Sequence, residues 1–237
     1  MKEKIVGILG GMGPEATVDL FIKVLKVDPA KRDQDHLRII IDCNSKIPDR
    51  TANILKGEED PGPYLIESAK ILENAGAELI LIACNAAHNW HGIVQQNVKI
   101  PVLHIMKSTL KYVEKKYPKI KVIGLLAASS TIVVGHYQRV FAKEGIDVIS
   151  PDQKYQEMVM KAIWEVKAGN TGPDVTKLLV DAGKSLISKG AQGVIAGCTE
   201  IPIVLKNRGD LSVPVVDPTY ALALAAVEEA RGEVIEW

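Results

Sequence analysis

Short runs rich in isoleucine, valine and leucine recur along the chain, and longer amphipathic stretches separate them. Continuous apolar runs of this kind are typical of strands that are buried on both faces of a parallel sheet. The runs predict strands at 5–9, 37–42, 79–83, 101–105, 121–126, 146–149, 193–196 and 213–216. The amphipathic stretches predict helices at 15–27, 63–75, 107–116, 135–144, 155–167 and 174–189. The alternation predicts an α/β fold of mostly parallel sheets flanked by helices.

Three blocks of sequence occur twice in the same order, which indicates that the chain consists of two similar halves. The paired blocks are 4–11 with 121–128, 76–85 with 190–199, and 100–104 with 213–217. Glycines at positions 76 and 190 stand where a helix is expected to stop before the next strand. We therefore expect two pseudo-symmetric halves, each with its own sheet.

The predicted domain boundaries follow from this repeat. The first half comprises 1–106 plus 220–237, and the second half comprises 107–219. An alanine-rich helix over 221–230 is expected to fold back on the first half, because no further strand run follows it. If the halves pack about a pseudo-twofold axis, the active site is expected in the cleft between them.

Composition narrows the possible functions. The chain has 237 residues, 47% of them hydrophobic, which suffices for a substantial core. The 29 basic and 29 acidic residues balance, so nothing marks a nucleic-acid or acidic-membrane surface. The apolar runs are too short to span a bilayer, and the first residues do not resemble a signal peptide. We expect a cytoplasmic protein whose three cysteines are thiols rather than a disulfide framework.

The candidate chemistry lies where strands end, because ligands of open α/β sheets bind beyond the carboxyl ends of the strands. The first strand leads into Gly10-Gly11-Met12-Gly13-Pro14, and its repeat counterpart is Ala127-Ala128-Ser129-Ser130-Thr131, which offers hydroxyls. Glycines allow a backbone to approach a ligand closely. A phosphate site is a weaker alternative, because neither a GxGxxG nor a GxxxxGK[ST] pattern is present.

Two cysteines occupy equivalent positions of the repeat. Cys84 and Cys198 each follow a predicted strand and precede a polar segment that is expected to begin a helix. A thiol at a helix N-terminus is a stronger acid than a free cysteine, and the exposed N–H groups there can hold a carboxylate. A group that titrates near the working pH both removes and returns protons. The pair is therefore the main candidate for acid/base catalysis on two faces of one substrate.

Other roles for these side chains stay open. A lone cysteine beside a strand is usually a small buried hydrophobe, and a Cys84–Cys198 disulfide is conceivable outside a reducing compartment. A metal site would draw on Cys84, His88 and His91, but no CxxC or HExxH spacing is present. His88 either donates a hydrogen bond into the site or caps a helix. Cys43 has no repeat partner and is expected to be structural or to line the site.

Four motifs together resemble the aspartate/glutamate racemase family, and the likeness covers essentially the whole chain. The motifs are Gly10-Gly11-Met12-Gly13-Pro14-Glu15-Ala16-Thr17, Ile47-Pro48-Asp49-Arg50-Thr51, Cys84-Asn85-Ala86-Ala87-His88 and Gly197-Cys198-Thr199-Glu200-Ile201-Pro202. The resemblance implies an amino-acid racemase that needs neither pyridoxal phosphate nor a metal, acts on a small amino-acid substrate and commonly forms a homodimer. It implies no nucleic-acid or membrane partner.

The same resemblance assigns roles to residues. Cys84 and Cys198 are the two catalytic thiols. Arg50 anchors a substrate carboxylate, which fits a guanidinium's two parallel hydrogen bonds, and Lys167 lies near the substrate. The other expected substrate-binding residues are Met12, Asn85, Ala86, Ser130, Thr131, Thr199 and Glu200.

The chain departs from the family pattern at two positions. Ala86 and Ala128 stand where relatives usually carry threonine hydroxyls, so a substrate other than aspartate is open. Glu200-Ile201-Pro202 replaces the His-Tyr-Pro of the cell-wall glutamate racemases, which disfavours that branch. The sequence predicts racemisation of aspartate, glutamate or a related amino acid. The alternatives are a related isomerase or decarboxylase, such as a maleate isomerase, hydantoin racemase or arylmalonate decarboxylase, and a non-catalytic amino-acid-binding protein.

Overall fold

A computed structural model describes residues 3–205, 211–235 and 237 of the chain. The chain divides into two compact units. Unit 1 comprises Met1–Ser108 and Thr219–Trp237, and unit 2 comprises Thr109–Pro218.

Unit 1 contains a four-stranded parallel sheet with the strand order β2-β1-β3-β4. Its strands are β1 Val6–Gly10, β2 Ile39–Cys43, β3 Leu79–Ile82 and β4 Val102–Leu103. Unit 2 repeats the order as β6-β5-β7-β8, again with every neighbouring pair parallel. Its strands are β5 Val122–Leu126, β6 Asp147–Ile149, β7 Val194–Ala196 and β8 Val215–Val216. The predicted fold class is confirmed, and each predicted strand run overlaps an observed strand.

Helices cover the sheets and bury one apolar stripe each. The α-helices are α1 Pro14–Val27, α2 Arg50–Lys56, α3 Gly62–Asn74, α4 His91–Asn97, α5 Ile105–Lys116, α6 Ser129–Val134, α7 His136–Phe141, α8 Gln153–Lys167, α9 Pro173–Ser188, α10 Ile201–Val204 and α11 Pro218–Arg231. In α1, Ala16, Leu20 and Val24 recur every four residues and are buried. Burying each of the two larger side chains contributes about 1.5–3 kcal/mol.

The repeat extends to the packing between helix and sheet. Gly7 on β1 faces Leu72 of α3, and Gly124 on β5 faces Leu186 of α9. A Cβ on Gly7 would lie 3.4 Å from the Leu72 Cβ, and a Cβ on Gly124 would lie 3.0 Å from the Leu186 Cβ. Both leucines are fully buried. Glycine at these positions lets each helix lie close to its sheet.

The helix stops of the repeat are also the same in both units. Gly76 and Gly190 each have φ +97°, a left-handed conformation that favours glycine. The following residues close the turns, because Ala77 N–H donates to Leu72 O at 3.0 Å and Ala191 N–H donates to Leu186 O at 3.1 Å. The predicted glycine stops are confirmed.

Two short helices, α2 and α6, were not predicted, and they contain seven and six residues respectively. The segments after Cys84 and Cys198 were expected only to begin a helix, and the short helices there, α4 and α10, contain seven and four residues. Helices of two turns or fewer do not repeat an apolar stripe often enough to be recognised in the sequence. They follow strand ends or the loops beyond them. Within the ranges that the structure describes, no helix has both the length and the apolar character to cross a membrane.

Candidate active site

The glycine loop after β1 is held by Thr17 of α1. Thr17 Oγ1 accepts a hydrogen bond from Gly11 N–H at 2.9 Å and donates one to Gly13 O at 2.9 Å. A Cβ on Gly10 would lie 2.3 Å from Thr17 Cγ2, and Gly11 has φ +89°. The structure therefore explains these glycines by close packing as well as by conformation. The loop carries Met12, which is buried.

Arg50 is held in place at the start of α2. The helix begins after Asp49, whose carboxylate accepts a hydrogen bond from Ala52 N–H at 2.7 Å. Arg50 Nη1 donates to Ile47 O at 3.1 Å and to Pro48 O at 2.8 Å. Its Nη2 donates to Met12 O at 3.2 Å. The guanidinium thus connects the glycine loop after β1 with the loop that precedes α2.

The charge of Arg50 has no carboxylate partner within residues 3–205, 211–235 and 237. The side chain is only 7% exposed, and its buried Nε has no hydrogen-bond partner among these residues. A guanidinium has five N–H donors, of which the three carbonyl contacts use three. Nε–H and one hydrogen of Nη2 are left for an incoming acceptor. A buried, uncompensated cation with two donors left suits a carboxylate ligand.

Cys84 lies just beyond β3 and is 6% exposed. It belongs to the same buried apolar cluster as Met12 and Ile47, and Ala86 packs against this cluster. No hydrogen bond to the Cys84 thiol is found in the described part of the chain. The predicted helix after Cys84 begins as the 3-10 helix Ala86–Trp90, and α4 follows. One 3-10 turn offers a weaker dipole to the thiol than the helix expected from the sequence.

His88 is a structural connection rather than a donor into the site. Its Nδ1 donates to Cys84 O at 2.8 Å, and its Nε2 accepts from Ile105 N–H at 3.1 Å. These contacts imply the tautomer with the proton on Nδ1. Burial is the main cause that lowers the pKa of His88 well below its ordinary value, and the neighbouring His104 lowers it further. His88 therefore joins the end of β3 to the first residue of α5 as a neutral side chain.

The histidines near Cys84 do not form a metal site in the structure. The His88 ring stacks at 5.8 Å on His91, and it lies 5.2 Å from the ring of His104. His91 Nε2 is 2.8 Å from Val102 O, so this nitrogen donates to the backbone. Among the residues described, no group of three or more His, Cys, Asp or Glu side chains is arranged to hold a metal ion.

Cys198 lies just beyond β7, at the position that corresponds to Cys84, but its neighbours differ. Its thiol donates to Glu200 Oε2 at 2.9 Å. Thr199 Oγ1 donates to the same oxygen at 3.2 Å. Glu200 is 4% exposed, and it forms no ion pair with any described residue. The helix after this segment, α10, contains only four residues. Glu200, expected to line the pocket, contacts the sulfur of Cys198.

The predicted hydroxyls of unit 2 lie at the start of α6. Ser130 and Thr131 are buried, and Thr131 Oγ1 has no hydrogen-bond partner among the described residues. Ala128 precedes α6 and belongs to the apolar cluster against which Cys198 packs. These side chains therefore share one end of the unit 2 sheet with Cys198.

Two further side chains at this end were missed by the sequence analysis. Gln156 Nε2 donates to Ala127 O at 3.0 Å and to Ser129 Oγ at 3.1 Å. Tyr137 is fully buried, and this burial is the main cause that raises the pKa of its hydroxyl. A hydrogen bond with Thr109 lowers the pKa in part, whereas negative charge on Asp217 and Cys198 raises it further. No motif or repeat in the sequence indicated Gln156. Asp217, by contrast, is the last residue of a repeat block, so the sequence could have indicated it as a candidate site residue.

One predicted residue, Lys167, lies apart from the unit 2 cluster. Lys167 is exposed at the last residue of α8, with its Nζ 5.1 Å from the centre of the Trp164 ring. It is eleven residues beyond Gln156 on the same helix, which corresponds to about 16 Å along the axis. Within unit 2, Lys167 is therefore not brought together with Ser129 and Gln156. Cys43 is an exposed thiol at the end of β2.

Comparisons with known proteins agree on one family. A family model described as Asp/Glu/Hydantoin racemase matches residues 9–226. The chain is 30% identical over 229 residues to the broad specificity amino-acid racemase RacX of Bacillus subtilis, covering 94% of this chain and 96% of that protein. The structure of Picrophilus torridus aspartate racemase is similar with a TM-score of 0.85 and 30% identity, covering 98% of this chain and 96% of the other. An aspartate racemase homologue from Pyrococcus horikoshii matches with a TM-score of 0.77 and 28% identity, covering 96% and 99%.

Proposed function

The chain belongs to the Asp/Glu/hydantoin racemase family, and from this premise we propose that it racemises aspartate, glutamate or a related amino acid with Cys84 and Cys198 as its two acid/base groups. The observation that carries the proposal is the recurrence of one thiol at the same strand end of both units. The residue before each cysteine is hydrogen-bonded in the same way, with Ala83 N–H donating to Leu9 O at 2.9 Å and Gly197 N–H donating to Leu126 O at 2.7 Å.

The proposed reaction proceeds through a planar intermediate. One cysteine, as the thiolate, takes the α-proton, so that the Cα–H bond breaks and its electron pair stays on the substrate. The charge that develops on the α-carboxylate is offset by hydrogen-bond donors already oriented toward it. The thiol of the other cysteine then delivers its proton to the opposite face of the α-carbon, and its S–H electron pair leaves it as a thiolate. All protons and electrons are accounted for without an added cofactor.

Arg50 is proposed to bind a substrate carboxylate. Its burial, its lack of an ion-pair partner among the described residues and its two remaining N–H donors all suit this role. Its three carbonyl contacts fix the guanidinium before the substrate arrives, so little side-chain entropy is lost on binding. Met12 and Asn85 of unit 1, and Ser130, Thr131 and Thr199 of unit 2, are further proposed substrate-binding residues.

The proposed substrate range is broader than aspartate alone. Ala86 and Ala128 offer no hydroxyl to a side-chain carboxylate. A hydrogen bond to a charged group contributes about 1.5–3 kcal/mol, so lacking one weakens discrimination for an acidic substrate. A relative at 30% identity is described as a broad specificity amino-acid racemase, which supports this proposal.

The test is an exchange assay with a panel of amino acids in D₂O. The unaltered protein is incubated with each L- and D-amino acid, and α-deuterium incorporation and optical rotation are followed together. We expect deuterium to enter the α-position as rotation decays, for aspartate, glutamate or a related amino acid. Binding of an amino acid without exchange would instead identify a non-catalytic binding protein, and isomerisation of a substrate without an α-amino group would identify a related isomerase.

A further inference from the structure

Glu200 places a buried carboxylate directly against the thiol of Cys198. The distance from Sγ to Oε2 is 2.9 Å, and Thr199 Oγ1 donates to the same oxygen at 3.2 Å. An ionised carboxylate can only accept hydrogen bonds, and Thr199 already donates to this oxygen, so the thiol of Cys198 is the donor in the contact.

A thiolate at Cys198 would place a second negative charge beside Glu200. Two anions at this separation repel strongly where water is largely excluded. Glu200 has no ion-pair partner among the described residues. Tyr137 on α7 also interacts electrostatically with Cys198 and with Asp217 after β8. The negative charge of Glu200 at 2.9 Å favours the protonated form of the Cys198 thiol over the thiolate.

The equivalent position in unit 1 has no such group. The repeat aligns Glu200 with Ala86, as it aligns Cys198 with Cys84. The thiol of Cys84 lies in an apolar cluster, and the described part of the chain offers it no hydrogen-bond partner. Of the two thiols, Cys198 is therefore the one that has a carboxylate neighbour among the described residues.

On the basis of the proposed racemase function, we propose that Glu200 keeps Cys198 protonated in the free enzyme, so that Cys198 is the acid with which turnover begins. Turnover then begins when the Cys84 thiolate removes the α-proton, forming its own S–H bond. Next the S–H bond of Cys198 breaks as the new Cα–H bond forms, which leaves a thiolate beside Glu200. Repulsion between these two anions favours return to the resting state, in which Cys198 takes a proton from solvent and Cys84 releases one.

The experiment measures the protonation of each thiol without turnover. Cys43 is first replaced by serine, because its exposed thiol would otherwise consume reagent. The protein is labelled with iodoacetamide between pH 5 and 10, and the adducts on Cys84 and Cys198 are quantified separately by mass spectrometry. In Glu200→Gln we expect the midpoint of Cys198 labelling to fall by about one to three pH units, the effect of removing a neighbouring like charge. The midpoint of Cys84 in the same sample is the internal control and should not move.

Two further variants distinguish the effect of the negative charge of Glu200 from a structural effect of replacing this side chain. Glu200→Asp keeps the negative charge, so its Cys198 midpoint should lie closer to that of the unaltered protein than the midpoint of Glu200→Gln does. If Glu200→Gln does not fold, Glu200→Ser removes the same charge with a smaller side chain and decides the question. An unchanged or raised Cys198 midpoint in a folded charge-free variant would overturn the proposal. Racemisation with an unmoved midpoint refutes only the role of Glu200, whereas absence of α-proton exchange in the unaltered protein refutes the proposed function.

Discussion

The neighbourhoods of Cys84 and Cys198 share their backbone but differ in their side chains. Each cysteine follows the third strand of its unit, and the preceding residue donates the same ladder hydrogen bond. Beyond this frame, Cys84 lies in an apolar cluster with Met12, whereas Cys198 donates to a buried carboxylate. The comparison teaches that a repeated fold fixes where a functional group is placed, while its reactivity depends on neighbours that the two copies do not share.

Positions that are identical in the two copies of the repeat serve packing, and positions that differ lie beside the cysteines. Gly7 and Gly124 are identical, and a Cβ at either position would be tightly packed, 3.0 Å from Ala77 Cβ just after α3 and 2.8 Å from Leu186 Cδ1 of α9 respectively. By contrast, the positions two residues after the cysteines carry Ala86 and Glu200, whose differing side chains leave the backbone frame intact. Packing therefore restrains the first kind of position, and chemistry distinguishes the second.

Replacing one thiol at a time is expected to have the largest effect on activity, and it tests whether the two cysteines have different roles. We expect Cys84→Ser and Cys198→Ser each to lower racemisation by at least about 100-fold, because general acid–base groups contribute about 10²–10⁴-fold and a serine hydroxyl is a far weaker acid than a thiol. Optical rotation measures the loss, and circular dichroism verifies folding. If the cysteines work on opposite faces, each variant should retain α-deuterium exchange with only one enantiomer, and not the same one. Near-normal racemisation in either folded variant would refute the pairing.

Arg50 belongs to unit 1 alone and is expected to have the next largest effect. Arg50→Lys keeps the charge but loses the planar fork and most of the three carbonyl contacts. A lost charge-assisted hydrogen bond costs about 1.5–3 kcal/mol, so kcat/KM should fall by about 10- to 100-fold. Steady-state kinetics on the preferred substrate measure this, and Arg32→Lys, at an exposed position of unit 1, is the matched control. An unchanged kcat/KM in Arg50→Lys would remove Arg50 from the substrate site.

The buried histidine of unit 1 is expected to make stability depend on pH. The repeat aligns His88 with Pro202, so unit 2 has no titrating counterpart there. Because burial lowers the pKa of His88 in the folded state, the unfolded chain binds the proton first, near pH 6.5. The free energy of unfolding should therefore decrease as the pH falls below about 6.5, by up to about 1.4 kcal/mol per pH unit for this one proton.

The measurement is urea denaturation at pH 7.5 and at pH 5.5, with His88→Gln as the comparison variant. Glutamine retains a donor and an acceptor but does not titrate. We expect the variant to be less stable at pH 7.5 but to lose less stability between the two pH values. Equal losses in both proteins would show that His88 does not couple folding to protonation.

The smallest expected effect concerns the two alanines, one in each unit. Ala86→Thr and Ala128→Thr each add a hydroxyl beside a cysteine-containing cluster. We expect kcat/KM for aspartate relative to an uncharged amino acid to increase by about tenfold, near the lower limit for a hydrogen bond to a charged group. The double variant tests whether the two effects add. A strong native preference for aspartate that neither substitution alters would show that these positions do not set specificity.

Much of the fold was predictable because it depends on local patterns. Strand runs that are buried on both faces remain apolar throughout, and helices of twelve or more residues repeat their apolar stripe several times. The short helices α2 and α6 escaped prediction because they are held by a side-chain cap or by packing at strand ends rather than by an apolar stripe. The matching cysteines were found for a different reason, namely that the internal repeat supplies its own comparison.

The sequence by itself determined the two α/β halves, the glycine stops and the pair of thiols, since each depends on residue type, spacing or repetition along the chain. Only the tertiary structure decided that Arg50 lies buried against three backbone carbonyls, that His88 is a neutral connection and that Gln156 contacts Ser129. It also decided that Glu200 turns its carboxylate toward the sulfur of Cys198. These contacts depend on directions in space that neither composition nor periodicity encodes, because folding brings together groups whose separation along the chain does not predict their distance.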